Sequence, residues 1–137
     1  MKYLWILFLM LTICFSCDKP MVEDCENYNF SDCSLDQPDW GLVKVQVTIN
    51  SENPYVPLTF FRGNIEDNVV EVIDTAYSGE LKVDMPLNNY FSVKAIYKSG
   101  IKQIIAVDGG DFTTKKYHVC DQDCWVIRGG EYDVRLK

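Results

Sequence analysis

Few residues in this chain are of a type that does chemistry. There is one histidine, His118, and there are six cysteines, at positions 14, 17, 25, 33, 120 and 124. A serine–histidine or cysteine–histidine arrangement would have only His118 as its base. No Gly-x-Ser-x-Gly elbow presents a nucleophile. His118 sits in a strand pattern beside Cys120, which reads as a strand histidine at the surface. Close carboxylates are what glycoside cleavage needs. Asp121/Asp123 and Asp108/Asp111 fall in turn sequences, however, where Asp is favoured for its backbone hydrogen bonds. Asp108-Gly109-Gly110-Asp111 and the stretch 64–68 offer oxygens to calcium without the spacing of a calcium loop. His118, Cys120, Cys124 and a further thiol would form a zinc set, yet a single residue between His118 and Cys120 is shorter than the usual interval. The cysteines at 120 and 124 do not form a Cys-x-x-Cys redox pair. No glycine-rich loop follows a strand and opens a helix to hold phosphate. The reading is of a non-catalytic chain with no cofactor and no metal.

The cysteines instead point to location and covalent structure. Residues 1–17, MKYLWILFLMLTICFSC, hold one charge, Lys2, and an apolar run from Tyr3 to Ile13. A short positive start, about ten apolar residues and a small residue make a secretory leader. A membrane span would need roughly 20 apolar residues. Ser16-Cys17 at the end of this run resembles the lipobox of bacterial lipoproteins, and the short leader ending Phe-Ser-Cys resembles those of the Bacteroidetes type. The family usually has Leu three residues before the cysteine; this chain has Cys14 there. The resemblance implies cleavage before Cys17 and acylation of Cys17. Several acyl chains together hold a protein firmly to a membrane. The implied site is the bacterial cell envelope, at the outer membrane.

With Cys14 removed and Cys17 acylated, four cysteines remain, an even number in an oxidising compartment. Two disulfides follow, with three connectivities open. The spacing favours local pairs, Cys25–Cys33 and Cys120–Cys124, with residues 121–123 as a hairpin loop between facing cysteines. The competing cross-pairing would close longer loops and stabilise more, by about 1 kcal/mol per bridge.

The elements around these cysteines are strands. Residues 17–41 form an acidic, Cys-containing tether with Pro20 and Pro38, in which Trp40 is expected to pack on the domain edge. From Leu42 the period is two: Val43, Val45, Val47 and Ile49 alternate with Lys44, Gln46 and Thr48. Further strands are predicted at 55–62, where Pro57 suggests an edge or a bulge, and at 69–76, 80–85, 90–98, 101–107, 112–119, 125–128 and 131–137. A Ser99-Gly100 hairpin turn joins two of them, and Asp108 to Asp111 is read as another turn. No window supports a helix. About seven to nine short strands with frequent turns predict an all-β, antiparallel β-sandwich over residues 42–137.

Residues 77–95 resemble the central strands of prealbumin-like domains, among them carboxypeptidase regulatory-like and collagen-adhesin B-type modules; immunoglobulin-like sandwiches share the pattern. Gly79, Leu81, Val83, Met85, Pro86 and Tyr90 or Phe91 hold the family's places, in a hairpin bounded by Gly and Pro. Asn88-Asn89 stands where the family has Gly. The resemblance implies a sandwich acting as stalk, spacer or accessory module without catalysis. Asp74-Thr75-Ala76 resembles the short O-glycan acceptor of exported Bacteroidetes proteins, which makes Thr75 the candidate glycosylation site. Asn29-Phe30-Ser31 fits an N-glycan acceptor that a bacterial chain is not expected to use.

Thirteen Lys+Arg against 20 Asp+Glu give a net charge of −7. That excludes nucleic acid as a partner and also binding to anionic lipid by charge alone. Removing residues 1–16 leaves 12 bases against 20 acids, a net −8. Adjacent aromatics, Phe60-Phe61 and Tyr90-Phe91, must point to opposite faces of a strand. One of each pair is expected outside, or under the N-terminal segment, and Phe60 and Tyr90 are the candidate ligand contacts. The chain therefore reads as a small envelope interaction or structural module whose partner is an unknown protein or glycan. A carbohydrate-binding accessory protein is one alternative. An immunity or inhibitor protein for a basic partner is the other.

Overall fold

The computed structural model describes residues 25–137; the leader, residues 1–16, and Cys17 lie outside the described residues. The fold is all-β, with eight strands among the described residues: β1 Trp40–Gln46, β2 Val56–Arg62, β3 Val70–Ala76, β4 Glu80–Pro86, β5 Asn89–Ser99, β6 Lys102–Val119, β7 Gln122–Gly129 and β8 Glu131–Asp133. The described residues also hold two short 3-10 turns, Phe30–Asp32 and Ile65–Asp67. The strands make two packed sheets, of order β4-β1-β8 and β3-β2-β5-β6-β7. All pairings are antiparallel except β1 with β8, which join the two ends of the domain in parallel.

The core follows the period-two pattern. Val43 and Val45 of β1 and Met85 of β4 face Leu58 and Phe60 of β2 and Phe91, Val93, Ala95 and Tyr97 of β5. Each such side chain contributes about 1.5–3 kcal/mol by leaving water. The Tyr97 hydroxyl donates to the Val134 carbonyl at 2.7 Å and accepts from the Thr48 amide at 3.1 Å, so this polar atom is buried satisfied.

Several connections differ from expectation. β3 to β4 and β4 to β5 cross between the sheets, so the Gly79–Pro86 stretch is a crossover strand and not half of a hairpin. Residues 102–119 form one unbroken strand, and Asp108 to Asp111 does not turn. Gly109 there leaves room for Tyr90, whose hydroxyl oxygen would lie 2.7 Å from an added Cβ. Asp108 instead accepts the amide of Asp133 at 2.8 Å, which ties β6 to β8. β2 is an interior strand. Pro57 is tolerated because pairing with β5 starts only at Leu58, and the bulge lies in β3, where Glu71 is skipped between the Phe60 and Phe61 pairings. Gly129 and Gly130, at φ 77° and 80°, turn the chain from one sheet to the other; an added Cβ on Gly130 would strike the Phe112 ring.

Candidate functional site

The two disulfides are Cys25–Cys120 and Cys33–Cys124, which corrects the local pairing. The reason is register. The β6–β7 turn consists of two residues, Cys120 and Asp121, both at positive φ, so Val119 pairs with Gln122 and Cys124 lies opposite Tyr117. Cys120 and Cys124 therefore do not face each other. Residues 25–39 are stapled along the β6–β7 hairpin, and Ser34 pairs with Trp125 through two backbone hydrogen bonds of 2.8 and 2.9 Å. This covers part of the free edge of β7. With all four thiols joined, Cys120 and Cys124 have none to offer a metal.

The other candidate residues are scattered. His118 is exposed, with its Nδ1 3.3 Å from Asp123 Oδ1. Asp123 also meets Lys116 Nζ at 2.6 Å; those two partners, Lys116 first, hold its carboxyl below the usual range. Asp67 Oδ2 accepts the Asn64 amide and closes the 3-10 turn of the 64–68 loop. Phe60 is fully buried in the core, so it offers no ligand contact. Phe61, on the opposite side of β2, is buried too, under the Lys94 ammonium 5.2 Å from its ring centre. Tyr90 is exposed, as expected of a surface contact. Trp40 is exposed on β1 and does not pack on the domain edge. Thr75 is half-buried in β3, opposite Pro57.

The structure does bring together the outer face of the five-stranded sheet. Its rows follow from the pairings: Thr75, Pro57, Ile96 and Ile105; then Ile73, Thr59, Lys94 and Val107; then Val70, Phe61, Ser92 and Gly109. The aliphatics are open to solvent, with Ile73 73%, Ile105 60% and Val107 53% exposed. At one end a cleft of about 370 Å³ opens between Tyr55, Pro57, Ile96, Lys98 and Gln103. Tyr77 stands beside Tyr55, ring centres 6.2 Å apart. Among the described residues no element packs on the rows of β3, β2 and β5; at the β7 end the stapled segment meets this face, where Cys124 is bonded to Cys33.

The broad faces also differ in charge. The strands of the five-stranded face present Lys94, Lys98, Lys115 and Arg128 against one acid, Asp111. Among the described residues none of those four bases pairs with a carboxylate; Arg128 Nη2 donates to the Tyr117 hydroxyl at 2.6 Å. That bond and nearby Lys115 hold the Tyr117 phenol below its usual range. On the three-stranded face the acids are Glu80, Asp84, Glu131 and Asp133. Lys82, Lys44 and Arg135 hold Glu80, Glu131 and Asp133 in ion pairs.

The signal for this face was present in the sequence. Ile104-Ile105-Ala106-Val107 is apolar at successive positions, as in a strand covered on both sides, but the fold covers only one side. The protein is thus a two-sheet β-sandwich, disulfide-stapled at one end and, among the described residues, uncovered on the β3-β2-β5 part of its larger face. No protein-family model matches the chain, and neither a curated protein nor a solved structure does.

Proposed function

We propose that the protein is an exported, lipid-anchored, non-catalytic envelope module that binds a partner through the outer face of its five-stranded sheet. The observation that carries this reading is the uncovered aliphatic surface of that face. Contiguous exposed apolar surface on a folded domain marks an interaction site. Export is supported by two disulfides joining segments 95 and 91 residues apart, because such bonds persist in oxidising compartments. Anchoring is supported by the leader and by Ser16-Cys17. The intact mass of protein extracted from membranes with detergent tests the reading. The expected mass begins at Cys17 and carries acyl chains, and four further thiols appear only after reduction. Mass beyond the acyl chains would direct attention to Thr75 as a glycan site. A full-length chain with free thiols would refute the envelope assignment.

A further inference from the structure

We infer that the occupant of the five-stranded outer face is a protein surface that is itself acidic and aliphatic. The inference rests on the interaction reading above and names its partner chemistry. Among the described residues, Lys94, Lys98, Lys115 and Arg128 have no carboxylate partner, on a chain with seven more acids than bases. Unpaired cations among exposed aliphatics call for carboxylates among apolar groups on the other side.

The other occupants fit less well. A second copy related by a two-fold axis would set these bases against themselves. Its three-stranded face has already committed Glu80, Glu131 and Asp133 to its own cations. A membrane would have to accept Lys94 along with the aliphatics, because Lys94 lies between Ile73 and Val107 in one row of the sheet. Hydrocarbon disfavours such a charge. A glycan would seek an aromatic platform, but Phe61, at the centre of the face, is only 2% exposed, and the exposed rings, Tyr90 and the Tyr55–Tyr77 pair, stand at opposite ends of the face. Once the leader is removed, the chain's own residues 17–24 are too short to reach the aliphatic rows with Lys94 and Lys98, although Lys115 lies within their span. Cys25 is fixed to Cys120, and the strand from there to Val107 runs about 40 Å. The eight residues 17–24 extend at most about 28 Å.

The test is zero-length carbodiimide crosslinking on the full chain in the cells that make it. This reagent joins a lysine amine to a carboxylate in contact with it. Adducts linking Lys94 or Lys98 to Asp or Glu of one other protein, falling about tenfold in Ile105→Asp and in Lys98→Glu, are the expected result. Both positions are exposed, and unchanged disulfide peptides would show that each variant folds. Adducts only to a second copy, separated by mixing isotopically labelled chains, would overturn the inference. So would the absence of adducts at both lysines. Flotation of the Cys17→Ala chain with phosphatidylglycerol vesicles, abolished by Lys98→Glu, would assign the face to lipid and overturn it too. An acylated chain without the adduct would refute the docking and keep the anchor. An unacylated chain with the adduct would do the reverse.

Discussion

At the scale of residues, neighbouring side chains of the same type have opposite roles. Phe60 and Phe61 are both buried, but Phe60 belongs to the core between the sheets and Phe61 lies beneath Lys94 on the outside. Adjacent strand residues point to opposite faces, as expected; the second ring is 2% exposed, with the Lys94 ammonium over it. Tyr90 and Phe91 divide more simply, one exposed and one in the core. Truncation should separate these roles. Phe60→Ala is expected to cost about 3–5 kcal/mol through the cavity it leaves. Tyr90→Ala should cost about 1 kcal/mol or less. Denaturant midpoints of the two variants check this, and equal losses would contradict the assignment.

At the scale of elements, β8 is the latch. It is three residues long, yet it pairs in parallel with β1 and holds β6 through Asp133 to Asp108 and through the Tyr132 hydroxyl, which donates to the Gly110 carbonyl at 3.3 Å. Burial first, then the charge of Asp108, pushes the Tyr132 phenol up to about 12. An unfolded tyrosine titrates near 10. The unfolded chain therefore releases this proton first. The stability concerned is complete below about pH 10 and is lost as pH rises toward 12. Stability measured at about pH 9 and pH 11.5 should fall between the two, and should fall less in Tyr132→Phe. An equal fall in both proteins would remove Tyr132 as the cause.

At the scale of the whole molecule, the disulfides make the N-terminal segment part of the domain. The two bridges interleave, so their contributions do not simply add. The first to close spans more than 90 residues and is worth about 4–5 kcal/mol in the chain-entropy model. The second closes only a small additional ring, worth about 3 kcal/mol. Replacing the Cys25/Cys120 pair by serine is thus expected to lower unfolding stability by about 3 kcal/mol. Replacing both pairs should leave a chain that does not fold at 37 °C. Denaturant unfolding of the purified variants measures this, and a negligible loss for the double-pair variant would show that the sheets alone suffice. The whole-molecule view also revises the charge argument. A net −7 describes the sum, whereas the partner meets one face, and the five-stranded face is basic.

The alternation from Val43 to Ile49 and the apolar positions of β4 and β5 were sufficient to read strands and a sandwich from the sequence, and the expected Ser99-Gly100 hairpin turn lies one residue on, at Gly100-Ile101, with Ser99 paired to Lys102. Period-two burial is local, and each strand carries its own record of it. The even cysteine count likewise fixed two bridges. What only the tertiary structure decided is which partners meet. The two-residue turn at Cys120-Asp121 set the register that sends Cys124 to Cys33 and Cys120 to Cys25. The straight passage of β6 through Gly109 and Gly110 joined two expected strands into one. The bare face arises where an apolar run suited to two covered sides received one. Pairing, register and coverage are contacts between residues far apart in the chain, and local pattern does not encode them.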